Sequence, residues 1–353
     1  MSPMALVRLR GPLKRLAGDR SEHTIEGRSV GELLAEIERA NPAARGWILD
    51  ERGELRRHIN VWVNGELGGQ ETLVQDGDQV EVLPAISGGS LPPMLASVDG
   101  AIGPTEEARI PVSDEGLTRG DGGFEVMRLY KGRPFALPDH LARLDRTCAG
   151  LRLPYDAEAL ETEIGALLDA AGPIDALMRV VLTRGGRRIL TIEPMPERLP
   201  VARVMTVTYS PTRVLDGLKT LSYGGNMLAG RIARERGFDE ALLVTPHGRV
   251  LEGPTWTFFW VAGGRLLTPP LDDRILDSIT RRYVLEECDG QERACTLDDV
   301  AAAEEAFIAS TVREVMPIST IDGQPLPAAP GPVTEAAAAG LRAHVERELA
   351  SSV

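Results

Sequence analysis

Of 39 basic residues only Lys14, Lys131 and Lys219 are lysine. Arginine serves this chain wherever plain positive charge suffices. A lysine kept here invites a chemical reason, because an amine forms an imine and a guanidinium does not. The plain alternative is a surface charge. Lys131, next to Gly132 after a strand-like run, reads as a solvated turn residue. Lys219 sits differently, in Gly217-Leu-Lys-Thr-Leu-Ser-Tyr223-Gly-Gly-Asn226, ahead of a helical pattern. Further along come a carboxylate, Glu252, and the segment Leu276-Asp-Ser-Ile-Thr280-Arg281, which reads as a helix start capped by Asp277 or Ser278. Such a start is a ready anion site. An amine, a carboxylate and a place for a phosphate are thus available.

Composition removes other chemistries. The chain has 353 residues and a formal net charge of −13, which argues against nucleic acid or an anionic membrane as the main partner. No apolar run reaches the roughly 18 residues of a membrane span. Residues 1–20 lack the apolar core of a secretion signal, so a cytoplasmic protein is expected. Cys148, Cys288 and Cys295 have no paired spacing, and the five histidines are scattered. Neither a disulfide framework nor a metal site is indicated.

The elements that must position these groups fall into two blocks. In the first, Val7 and Leu9 suggest a strand, and Ser29-Val-Gly-Glu32 a capping box opening a helix with Val30, Leu33, Leu34 and Ile37 at helical spacing. Asn41-Pro42 stops it. Ile59–Val63 alternates as a strand turned by Asn64-Gly65, and Val80–Val82 is a last strand before Ala85-Ile-Ser-Gly-Gly89. The stretches "INVWVNGE" and "QDGDQVEVLPAISGG" resemble the MoaD/ThiS sulfur carriers. That resemblance implies a ubiquitin-like β-grasp domain over residues 1–89. In that family the paired glycines end the chain, and the terminal carboxylate is adenylated and thiocarboxylated. Here Ser90 follows Gly89, so the carboxylate is absent from the intact chain. Two readings stay open: a docking domain, or a carrier exposed by a protease partner for an E1-like activating enzyme.

Residues 90–96, with two prolines, read as a linker. The second block, 97–353, opens with a hairpin over Val98–Ile102. Gly120-Asp-Gly-Gly123 then leads into an alternating strand, Phe124–Tyr130. Arg143 follows on a helix, as an exposed charge or as an inward anion clamp. The Lys219 segment leads into a helix with Met227, Leu228, Ile232 and Ala233 near one face. Hairpins follow over 240–252 and 257–268.

The ordered stretches "RGDGGFEVMRLYKG", "HLARL", "KTLSY", "GFDEALLV", "GRVLEGP", "LLTPPLDDRILDSITRR" and "ASTVREVMPI" resemble the class IV aminotransferases. The resemblance implies an α+β, two-subdomain fold-type IV enzyme dependent on pyridoxal 5′-phosphate (PLP). It implies a small subdomain about 97–210, a large one about 216–353, and a homodimer. Lys219 matches the lysine that binds PLP as an imine, and Glu252 the carboxylate on the pyridinium nitrogen. Arg143, Ile279, Thr280 and Thr311 match phosphate ligands. Tyr223 matches the tyrosine near the cofactor phenolate, although it follows Ser222 where many members have asparagine. Three reactions share these motifs: branched-chain transamination, D-amino-acid transamination, and aminodeoxychorismate lyase chemistry, which yields 4-aminobenzoate and pyruvate. "GDGGFEVMR" and "KTLSY" are closer to the lyase and D-amino-acid members, and the lyase is the first expectation. Arg184, Arg187 and Arg188 are candidates for a substrate carboxylate, or plain surface charges.

Overall fold

The computed structural model describes residues 3–10, 12–18, 20–50, 53–56, 59–84 and 94–351. The chain divides into two compact units, Met1–Leu91 and Pro92–Val353.

The first unit is a five-stranded sheet with one long helix on it. In spatial order the strands are Glu22–Glu26, Met4–Leu9, Gln79–Pro84, Ile59–Val63 and Glu66–Gly68. The central pair is parallel, with Val7 beside Val80 and Leu9 beside Val82. Alternation puts Ala5, Val7, Leu9, Val61, Val80 and Val82 on one buried face. The helix Val30–Ala40 lays Val30, Leu33, Leu34 and Ile37 against it. Ser29 accepts from the Glu32 amide at 3.3 Å, as a cap should. Glu32 reaches one residue further back than a capping box does, to the Arg28 amide at 2.7 Å. Asn64 and Gly65 both have positive φ, 52° and 87°, the geometry of a two-residue hairpin turn. The "AISGG" end, residues 85–89, lies outside the described residues, as do positions 90–93 of the expected linker. Leu95 and Ala96, read as the end of that linker, belong instead to a strand, Leu95–Val98.

The second unit has two sheets. The six-stranded sheet is antiparallel throughout, ordered Ala101–Pro104, Leu95–Val98, Arg188–Glu193, Ala176–Thr183, Gly122–Tyr130 and Arg133–Pro134. Helices Leu137–Leu151 and Ala157–Ala171 cover one face, where Leu144, Cys148, Leu160, Ile164 and Leu167 meet Met127 and Met178. The second sheet is ten-stranded and mixed. Its centre is aromatic: Trp256, Phe258 and Trp260 pack with Ile308 and Met316. The alternate residues Phe259 and Phe307 stack at 4.9 Å beside the helix Pro332–Ser351.

The strand Ala202–Thr208 pairs in parallel with Glu240–Val244 and with Glu314–Ile321. It therefore belongs to the second sheet. Sheet membership thus changes between Glu193 and Ala202, because pairing partners rather than sequence order decide it. No helix among the described residues is long and apolar enough to cross a membrane.

Leu34 is fully buried between helix and sheet. Leu34→Ala should cost the first unit about 2–5 kcal/mol. Hydrogen exchange would show it as lost protection in residues 4–84, with the Thr257–Ala262 strand unchanged.

Candidate active site

The Lys219 backbone is laced to the Gly122–Tyr130 strand. The Phe124 amide donates to Lys219 O at 3.0 Å and the Leu221 amide to Gly122 O at 2.9 Å, with a bridge between Gly123 and Thr220. This explains the paired glycines. A Cβ on Gly122 would lie 2.2 Å from Leu182 O and 2.7 Å from Leu221 Cδ1; one on Gly123 would lie 2.9 Å from Thr147 Cγ2. The Lys219 amide donates to Thr147 Oγ1 at 3.2 Å.

The lysine side chain enters a cavity of about 510 Å³ whose wall also includes Arg143, Tyr223, Glu252 and Thr311. Lys219 Nζ lies 4.4 Å from the centre of the Phe124 ring. Burial, reinforced by the Arg143 charge, brings its amine down to about 8. Glu252 moves the other way. Burial pushes its carboxyl up to about 8, against the Leu276 amide, which donates to Oε1 at 3.1 Å, and the Lys219 charge. Tyr223 donates its hydroxyl to Pro254 O, which Asn226 also reaches at 3.1 Å. Its phenol is raised by burial and by the Glu252 charge.

Arg143 is 4% exposed, so the exposed-charge reading fails. The fork expected for an anion is taken by a buried carboxylate: Nε and Nη2 each donate to Glu125 at 2.7 Å. Nη1 donates to Asp277 O at 3.0 Å, just before the helix Ile279–Glu287. His140, one turn earlier on the Arg143 helix, meets the same Glu125 at 2.7 Å through Nδ1. Burial would raise Glu125, but the Arg143 bonds and charge, with His140, hold it at about 2. Burial keeps His140 below the usual imidazole range.

Ser278 caps the following helix by accepting from the Arg281 amide at 3.3 Å, which leaves the amides of Ile279 and Thr280 as first-turn donors. The cavity wall reaches Ser278; the Ile279 and Thr280 side chains are buried behind it. Thr311 lies in the turn after the strand Glu305–Ser310.

Arg184, Arg187 and Arg188 stand off the cavity wall and are engaged elsewhere. Arg184 pairs with Asp121 at 3.0 Å, Arg187 with Asp99 at 2.5 Å and Arg188 with Glu163 at 2.7 Å. These ion pairs hold the hairpin Thr183–Arg188 to its neighbours, so they are not the carboxylate site. Besides Lys219 and Arg143, the cations on the wall are Arg179, Arg274 and Arg313, and Arg274 pairs with Asp216 at 3.5 Å. Arg179 is gripped through Nε and Nη2 by Glu193 at 2.6 and 2.9 Å, with Nη1 left over. Arg313 donates to Glu240 and to Thr255 Oγ1. Neither Glu125 nor Arg179 stands out in the sequence, since a charge in an alternating strand reads as solvent-facing.

The donor set suits PLP. A low-lying amine, a carboxyl whose second oxygen takes no hydrogen bond from the described residues, and donors at a helix start surround a space large enough for it. An antiparallel sheet joined to a mixed sheet, with such a lysine at their junction, defines a fold-type IV PLP enzyme. Residues 122–321 match the amino-transferase class IV family and residues 7–89 the ThiS family. A D-alanine aminotransferase from Bacillus licheniformis is 30% identical over 284 residues, 74% of this chain and all of that one. An aminodeoxychorismate lyase from Bacillus subtilis is 30% identical over 256 residues, 64% of this chain and 86% of that one. The branched-chain aminotransferase structure from Thermoproteus uzoniensis superposes with a TM-score of 0.66 at 31% identity, over 71% of this chain and 94% of that one. The chain belongs to the class IV aminotransferases and carries a ThiS-family domain at its N-terminus.

Glu125→Gln should strand the buried Arg143 charge. Removing one partner of such a pair costs about 3–5 kcal/mol. Chemical denaturation should show an earlier midpoint. Separately, PLP capture by the cofactor-free protein should accelerate with pH through a midpoint near 8, since the neutral amine is the nucleophile. Stopped-flow absorbance would measure this; a midpoint above about 10, the range of an ordinary lysine, would contradict the burial effect.

Proposed function

We propose that this PLP enzyme acts as an aminodeoxychorismate lyase, releasing 4-aminobenzoate and pyruvate. The observation that carries this reading is the cavity wall: Arg179, Arg274 and Arg313 surround a space of about 510 Å³. That suits a ring substrate bearing two carboxylates better than a small aliphatic amino acid. Arg179 Nη1, free of Glu193, is the donor for one of them.

Bound PLP supplies an electron sink for the pair left at the substrate α-carbon. Lys219 would hold the cofactor and then, as a free amine, take the proton from the ring carbon that bears the amino group; the pair left there breaks the bond to the enolpyruvyl oxygen, and the proton passes to that leaving group, which becomes pyruvate. A pKa near 8 keeps the amine competent in both directions near neutral pH. Glu252, ionised once it faced the ring nitrogen, would keep that nitrogen protonated. The two N–H groups that Arg143 does not spend on Glu125 and Asp277, with Thr311 and the amides of Ile279 and Thr280, would hold the phosphate, and Tyr223 would face the ring's phenolic edge. Phe124 excludes water from the amine.

D-amino-acid transamination is the second reading, favoured by a likeness that spans the full length of the Bacillus licheniformis enzyme. The second unit acts as a homodimer, and exposed Val112, Val214 and Leu228 suit an interface between copies. All three cysteines are free, which fits a reducing cytoplasm. In the intact chain the ThiS-family domain serves to dock a partner of the E1-like class; cleavage after Gly89 by a protease partner would convert it to a carrier.

Purified protein given aminodeoxychorismate, D-alanine with 2-oxoglutarate, and L-leucine with 2-oxoglutarate should turn over the first fastest. Faster use of D-alanine would transfer the assignment to the second reading. Lys219→Ala should lose at least about 100-fold in turnover, the scale of general acid–base catalysis, together with the borohydride-reducible adduct. Reduction that tags Lys14 or Lys131 instead would overturn the assignment.

A further inference from the structure

We infer that Glu314 is a positioning residue, which ties the turn Thr311–Arg313 to the opposite wall of the cavity. Glu314 follows that turn directly and opens the strand Glu314–Ile321 of the ten-stranded sheet. Its partners come from elsewhere. Oε1 accepts from Arg128 Nη1 at 2.6 Å and from the Tyr130 hydroxyl at 2.8 Å, both on the strand of the six-stranded sheet that also carries Phe124 and Glu125. Oε2 accepts from Arg198 Nη1 at 2.9 Å, in the segment connecting the two sheets. Arg198 Nη2 also donates to Val315 O at 2.8 Å. One carboxylate thus joins both sheets and their connection.

Three further observations support a dedicated role. The carboxylate is only 13% exposed, so its charge-assisted bonds are poorly screened. The Arg128 guanidinium also lies over the Tyr130 ring, 4.5 Å from its centre, which fixes both donors. Finally, Glu314 has φ +54°, a left-handed conformation that glycine adopts without steric cost and glutamate does not. A glutamate held there is explained by what its side chain reaches. Thr311, Val312 and Arg313 line the cavity on one side of this tie, and Phe124 and Val126 line it on the other. The length of the Glu314 side chain therefore sets how far apart the two walls stand.

The inference rests on the PLP reading, and the wild-type protein tests that reading by binding PLP at all. The test compares Glu314→Gly, Glu314→Ala and Glu314→Gln with the wild type. It reads PLP dissociation constants of the cofactor-free proteins and the visible circular dichroism of bound PLP, well below each melting temperature. Glycine relieves the backbone but removes the tie. It should weaken PLP by about tenfold, the scale on which a held group loses affinity with an outer partner, and alter the dichroic band. Alanine should do the same. Glutamine, which keeps an oxygen acceptor, should restore most of the affinity and the band. Arg198→Ala, on the exposed side of the tie, should shift both readouts in the same direction by less, and covers the case of a Glu314 variant that fails to fold. Wild-type affinity and dichroism in Glu314→Gly would overturn the inference and reduce Glu314 to a structural residue, as would an Arg198→Ala protein identical to wild type if the Glu314 variants do not fold.

Discussion

The site depends on one close approach of backbone to backbone. Residues 219–221 hydrogen-bond along residues 122–124, and the neighbouring Leu182 carbonyl, Leu221 side chain and Thr147 side chain leave no room for a Cβ on Gly122 or Gly123. That contact aims the Lys219 side chain into the cavity before any side-chain interaction matters. A larger residue at position 122 would press on Leu182 and Leu221, and one at position 123 on Thr147, whose hydroxyl accepts from the Lys219 amide. The Thr147 hydroxyl and the Phe124 ring then fix the lysine at its base and its tip.

Around the amine the electrostatics are arranged so that charges are displaced rather than simply paired. Arg143 spends two of its nitrogens on Glu125, which is inaccessible to solvent and held ionised by that bond. The guanidinium can therefore be buried without bonding to Glu252, while its charge still helps to lower the Lys219 amine. Left without such direct partners, the Lys219 amine and the Glu252 carboxyl both shift toward neutrality.

Much of this was legible in the sequence, for local reasons. Lys219 was marked by the rarity of lysine, the Asn64-Gly65 turn by its residue types, and the helix at Ser278 by its cap. What was not legible depends on distant partners. Glu125 lies in an alternating strand, and only the arrival of His140 and Arg143 from one helix face makes its burial possible. For Arg184, Arg187 and Arg188 the sequence left a substrate site and plain surface charge both open, because it does not display the three separate carboxylates that claim them. The Met227–Leu228 pair reads as a buried helix face, yet Ala229 and Ala233 are the residues packed inward. Small residues there let the helix sit close, a choice that hydrophobic spacing does not display. The strand Ala202–Thr208 likewise takes its sheet neighbours from later in the chain, which no local pattern announces.

The parallel pairing of Met4–Leu9 with Gln79–Pro84 has a consequence for how the protein is made. The centre of the first sheet cannot close until its last strand has left the ribosome, so the earliest strand must wait unpaired on its long side through most of that unit's synthesis. The second unit has the same property on a larger scale: the turn that completes the cavity, Thr311–Arg313, is translated long after the strand that forms its other wall. Both units therefore reach their native pairing late in translation, and the nascent chain must be protected in the interval, when its open strand edges are exposed.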